Sequence, residues 1–188
     1  MISEKDISQL RTVVNEMVNN GRIKELLDIV GVPVLQQLNI EAEKANLSPL
    51  VITSDFKFLL PSYKKEILLP PIHKALYILF LNHPEGIEFK RLVDYKDELT
   101  DLYRRIGTRT SSRVIEQSIN RLINPLDNSV NEKCARIKAT LALCMNQFQL
   151  SFYSISGHAE RRIDGSSRVW YERKKTITLP RELVKMEF

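Results

Sequence analysis

"FKFLLPSYKKEILLPPIHKALYILFLNHPEGIEFKRL", residues 56–92, decides the fold. Residues 50–69 carry β-branched and aromatic residues, and Phe56 and Phe58 alternate around Lys57. "PSYKK" supplies turn chemistry, so this part predicts a strand pair. Pro70 and Pro71 then introduce a helix, "IHKALYILFLNH", with Ile72, Ala75, Leu76 and Leu79 as its buried stripe. "PEGIEF" breaks it, Gly86 being the turn residue.

Towards the N-terminus the pattern is helical and slightly acidic. Ser3 can cap a helix over residues 3–20, with Asp6 at the capping-box position and Ile7, Leu10, Val14, Met17 and Val18 as its stripe. Gly21 ends it. "RIKELLDIV" is a second helix stopped by Gly31, and Pro33 begins a third. Residues 1–48 therefore read as a helical arm. It can dimerise or dock a partner, or pack onto the core of residues 49–188.

Towards the C-terminus, residues about 95–106 and 111–123 are helical in period, Gly107 ending the first and Ser111 or Ser112 capping the second. After the turn "NPLDNS" comes "NSVNEKCARIKATL", residues 128–141, a helix that can run on to about Phe148. The tail, "FYSISGHAERRIDGSSRVWYERKKTITLP", places two β-prone runs around Asp164-Gly165, a strong hairpin signal. With those two residues as the whole turn, Phe152 faces Ile177, Leu150 faces Leu179, and Arg161 faces Arg168. That last pairing sets like charges side by side, which a bridging anion would relieve.

The order strand pair, helix, "GI" turn, helical region, basic helix and hairpin resembles the winged-helix DNA-binding domain of OmpR/PhoB-type response regulators. The resemblance covers roughly residues 50–180 and is architectural. It implies a fold that is α+β and mainly helical, with a small N-terminal β-hairpin and a C-terminal β-hairpin wing. It makes the 128–143 helix the recognition helix and implies a regulator of transcription. Two helical stretches stand where the family has a loop, its closing motif is missing, and the hairpin is longer. The front section, residues 1–48, is too short to be a phosphate-accepting receiver domain, so control by phosphorylation is not carried over.

On the 128–141 helix, Val130, Cys134, Ile137, Leu141 and Cys144 or Met145 share one side. Lys133, Arg136 and Thr140 point elsewhere, as does Glu132, and Asn128 and Ser129 stand at the N-terminal end. A recognition helix needs this split, since one side holds the core while the other enters the major groove. Arg136 could pair with a guanine edge or a phosphate, and Asn128 and Ser129 could bond a phosphate where the helix dipole favours one. An ordinary solvated surface helix carries the same pattern. Arg161, Arg162 and Arg168 at the hairpin tip suit the phosphate backbone. Arg104, Arg105, Arg109 and Arg113 form a further basic cluster. Trp170 and Tyr171 suit packing under the hairpin, with stacking on a base as the alternative.

Composition bounds the rest. A net charge of +5 favours polyanionic partners, and 43% hydrophobic residues support a folded core. Cys134 and Cys144, about 15 Å apart along one helix, form no disulfide. With no apolar leader in "MISEKDISQL", a cytoplasmic setting is expected. "ALYILFLNH" is too short to span a bilayer. His73, His83 and His158 are scattered without metal-ligand spacing, and each is expected to be a satisfied structural residue. Asp94, Asp97 and Glu98 suit a solvated helix start. There is no P-loop, GxGxxG or GxSxG. No enzyme activity, metal, cofactor or small-molecule ligand is expected. The expected partners are double-stranded DNA and a second copy through the N-terminal helices. The rival expectation is a protein-interaction module on the same scaffold.

Overall fold

The computed structural model describes residues 3–163 and 169–188, with side chains for all of these except 32, 33, 36, 158–163 and 169–173. The chain is α+β and mostly helical. It divides into two compact units, with the boundary between Ala45 and Asn46. Asn46–Ser48, read above as the end of the arm, are tied into the second unit. The Tyr63 hydroxyl donates to the Asn46 carbonyl at 2.9 Å, and Ser48 is fully buried.

The first unit holds three helices. α1 (Glu4–Asn19) starts where expected, because Ser3 and Asp6 close a capping box. Gly21, at φ 71°, turns the chain into α2 (Ile23–Val30). α3 (Val32–Glu43) begins with Pro33 in its first turn. No described residue from Ser3 to Asn46 is buried.

The second unit is built around α4 (Pro71–Asn82). The expectation was one buried stripe, but every residue from Ala75 to Leu81 is buried, so α4 is a central helix covered on all sides. The strand pair expected over 50–69 is a three-strand meander: β1 (Leu50–Ile52), β2 (Phe58–Leu60) and β3 (Lys65–Ile67). A parallel partner for β1 comes from the far end of the chain, β6 (Val184–Met186), giving the order β3-β2-β1-β6.

Around α4 run α5 (Lys96–Ile106), α6 (Ser112–Ile123), α7 (Ser129–Ala142) and α8 (Gln147–Tyr153). The helix expected to run on to Phe148 stops at Ala142. Asn146 starts a new helix there, its side chain accepting the Phe148 and Gln149 backbone N–H groups, each at 2.9 Å. A buried polar chain joins these layers. The Tyr77 hydroxyl donates to the Tyr153 carbonyl at 2.7 Å, and the Tyr153 hydroxyl donates to the Ser48 carbonyl.

The hairpin is present as β4 (Ser156–Ile163) and β5 (Val169–Thr176), but its register corrects the sequence reading. Arg161 pairs with Tyr171, not Arg168, and the last described pair is Ile163–Val169. Leu150 and Phe152 cannot face Leu179 and Ile177 across a ladder, because both belong to α8. The pairing is therefore not the register expected from a two-residue turn, and Asp164, Gly165 and Arg168 lie outside the described residues.

Candidate nucleic-acid interface

The apolar side of α7 is as the spacing predicts. Val130, Ile137 and Leu141 are buried, and α7 packs against α4. Asn131, Glu132, Ala135, Arg136, Lys138, Ala139 and Ala142 are exposed. The outward side of the helix is thus polar and small, with two cations and one acid. Neither Arg136 nor Lys138 enters an ion pair among the described residues. Lys138 was missed by the sequence reading. Its exposure is set by the tilt of α7 on the core, which helical period alone leaves loose.

Not every predicted contact residue is presented. Asn128 is exposed, and its Oδ1 accepts from Asn131 Nδ2 at 3.0 Å. Ser129 is buried, and its Oγ accepts from Lys133 Nζ at 2.7 Å. Lys133 is half-buried; burial, reinforced by the nearby Arg121 guanidinium, holds its ammonium below the usual lysine range. The Thr140 hydroxyl donates to the Arg136 carbonyl at 3.0 Å, the usual retreat of a hydroxyl residue in mid-helix. Asn128 and Arg136 are therefore the predicted α7 residues that face solvent, while Ser129, Lys133 and Thr140 are held against their own helix.

The hairpin is fixed to the body at its base. Ile87, in the turn after α4, exchanges two backbone hydrogen bonds with Lys175, each 2.9 Å, adding a one-residue third strand. Gly86 is required here: φ is 83°, and a Cβ would stand 3.1 Å from both Lys174 Cβ and the Lys175 carbonyl. Lys175 Nζ lies 5.5 Å from the Phe89 ring centroid, and Thr176 Oγ1 donates to the Pro84 carbonyl at 3.2 Å. The Cys134 thiol on α7 is pushed up to about 12 by burial, with the Lys175 ammonium pulling weakly the other way. Burial thus disfavours the thiolate that a nucleophile would need. Arg161 and Arg162 lie on β4, opposite Tyr171 and Trp170. Arg168 lies outside the described residues.

The third basic cluster is divided. Arg104 faces Asp101 at 3.5 Å. Arg105 lies 5.5 Å from the Phe56 ring and 5.2 Å from the Phe188 ring, a cation–π contact at the surface. All four arginines are exposed, and Arg109 and Arg113 enter no ion pair or ring contact among the described residues.

Of the two histidines at the ends of α4, His73 departs from expectation and His83 is the satisfied residue expected. His73 is buried, yet neither ring nitrogen has a partner, so it is not the satisfied residue expected. It lines an opening of about 300 Å³ between the start of α4 and α7, with Leu69, Pro70, Arg136, Ala139 and Thr140. Burial, helped by Lys133 and Arg136, lowers its pKa to about 4. His83 bonds Glu85 at 2.9 Å and Glu98 at 2.8 Å. Its pKa is raised: burial opposes protonation, and the two carboxylates outweigh it. Glu98 also accepts from Asn82 at 2.8 Å, so it is not the solvated acid expected. No cluster of three or more potential ligands suited to a metal occurs among the described residues. No helix among them is long and apolar enough to cross a membrane. Comparison with known protein families, with curated proteins and with solved structures finds no match to this chain.

Proposed function

We propose that this chain binds double-stranded DNA as a regulator of transcription, on a winged-helix-like scaffold. In this reading α7 enters the major groove and the β4–β5 hairpin lies along the phosphates. The observation that carries it is the outward side of α7, where Arg136 and Lys138 stand exposed among small residues that let a duplex approach. The Ile87–Lys175 bridge adds support, since it ties the base of the hairpin to the turn after α4. The +5 net charge agrees in sign. Arg136 reads a base or a phosphate, Asn128 bonds the backbone, and Arg161, Arg162 and Arg168 serve the phosphates.

A mobility-shift titration on random duplex tests this. With about six phosphate contacts, affinity falls roughly a thousandfold between 50 and 200 mM salt. Arg136→Glu with Lys138→Glu abolishes the shift while the unfolding midpoint stays put. Absent or salt-insensitive binding ends the proposal.

A second reading has its own observation. Glu132 shares the outward side of α7, and Leu143 just past its end is 78% exposed, with Leu126 before it at 94%. A protein partner would cover those leucines, and a duplex would not. Leu126→Ser with Leu143→Ser separates the two, since DNA affinity should be unmoved and a protein complex lost.

A further inference from the structure

The first unit exposes apolar surface without a core. Ile7, Leu10, Val13, Val18, Ile23, Leu27, Ile29, Val34 and Leu38 are each 37–74% exposed. Such a density of uncovered aliphatic side chains marks an interaction surface, and the spacing along α1 says which kind.

Ile7, Leu10, Val14 and Met17 recur at intervals of three and four, the a and d positions of two heptads. Ile7 and Val14 fall at a and are β-branched, while Leu10 and Met17 fall at d. That distribution favours two parallel strands. Ile7 is 52% and Leu10 65% exposed, so the seam is open in its first half, while Val14 and Met17 are half-buried and a partner would have to complete their burial.

The flanks choose the orientation. Asp6 and Val13 occupy g; Arg11 and Val18 occupy e. In a parallel in-register pair each g residue faces the e residue five positions on in the other copy. Asp6 then meets the other copy's Arg11, twice by symmetry, and Val13 meets Val18, which widens the apolar seam. An antiparallel pair with the same core layers would set Arg11 against Arg11. Asp6 can serve both roles. Its cap bonds from the Ser3 N–H (2.9 Å) and hydroxyl (2.7 Å) both use Oδ2, so the cap does not engage Oδ1, and the side chain is exposed. Residues 1–45 hold five Lys or Arg and seven Asp or Glu, so two arms can approach without strong repulsion.

We propose that α1 pairs with α1 of a second copy as a short parallel coiled coil, with Ile7, Leu10, Val14 and Met17 in its seam and reciprocal Asp6–Arg11 pairs at its edge. This goes beyond the DNA-binding reading and does not depend on it.

Sedimentation equilibrium of the full chain over a range of concentrations tests it. The expected mass at high micromolar concentration is that of a dimer. Leu10→Asp, a change at an exposed position, returns a monomer with unaltered helical circular dichroism. Arg11→Glu raises the dissociation constant by roughly tenfold, since two attractive edge pairs become repulsive. Asp6→Arg also removes the cap, so its informative comparison is with Asp6→Arg/Arg11→Asp, which lacks the cap equally. The double variant binds itself more tightly than the single one. A wild-type monomer at all concentrations overturns the proposal, as it would if the arm met a different protein. A dimer indifferent to Leu10→Asp, or a charge swap that fails to rescue, overturns it as well.

Discussion

At the scale of single residues, the histidine in the first turn of α4 and the one just past its end carry opposite pH dependences. His73 is neutral in the fold, at a pKa of about 4 against 6.5 unfolded. The unfolded chain therefore takes up the proton first. Its contribution is full above about pH 6.5 and is lost as pH falls toward 4, by up to about 3 kcal/mol. His83 has a raised pKa, so its contribution is full below about pH 6.5 and is lost as pH rises through the folded value. His73→Leu deletes two unpartnered buried nitrogens at similar volume. It is expected to hold or raise the urea midpoint at pH 7 and to flatten the loss between pH 6 and 4. A midpoint that falls at pH 7, or an unchanged acid slope, refutes this account. His83→Gln should remove the decline above pH 6.5 in the same measurement. Neither role was legible in the sequence. The pairing of His83 with Glu98 is made by the packing of α5 on α4, and the isolation of His73 by the closure of α7 over the start of α4.

Among the elements, what could be read was what is local. The Ser3–Asp6 cap, the stops at Gly21 and Gly31, and the apolar side of α7 each follow from residues within one or two turns, and each is found. The hairpin register failed because Asp164-Gly165 is a local turn signal competing with two distant constraints. One is the Ile87–Lys175 bridge, and the other is the helix that Asn146 starts. That helix takes Leu150, Phe152 and Tyr153 into the core, so β4 cannot begin before Ser156. The missed presentation of Ser129 is different, since its partners are local: its N–H donates to Asp127 at 2.8 Å in the turn before α7, and its Oγ accepts from Lys133 one turn further along the helix. Asn146 is thus a small residue with wide influence. Asn146→Ala should cost about 1 kcal/mol as a lost cap, read as a lower urea midpoint. Asn146→Asp, which keeps an acceptor near the helix N-terminus, should cost little. Equal losses in the two variants would show that the cap is not the cause.

For the molecule as a whole, the parallel pairing of β1 with β6 is the feature furthest from local signal. Residues 184–186 are three residues of unremarkable pattern, and their partner lies more than a hundred positions away. The pairing does three things at once. It covers one edge of the sheet, which would otherwise offer β1 for pairing with another chain. It brings Phe188 to 4.7 Å from Phe56, whose backbone sits at φ 58°, a left-handed setting that costs about 1 kcal/mol or more without glycine. It also gives Arg105 a second ring. Just ahead of β6, Arg181 donates to the Leu81 carbonyl, so the same segment satisfies the C-terminal end of α4. Because these contacts close over most of the second unit, they form late in folding and act mainly on the unfolding rate. Removal of residues 184–188 is therefore expected to lower stability by about 1–3 kcal/mol, from lost ladder bonds and lost burial of Val184 and Phe188. In a denaturant chevron the unfolding limb should rise and the folding limb stay nearly fixed. Phe188→Ala alone should reproduce part of the loss while the strand remains. If truncation instead slows folding and leaves unfolding unchanged, the β1–β6 ladder belongs to the nucleus, and this order of assembly is reversed.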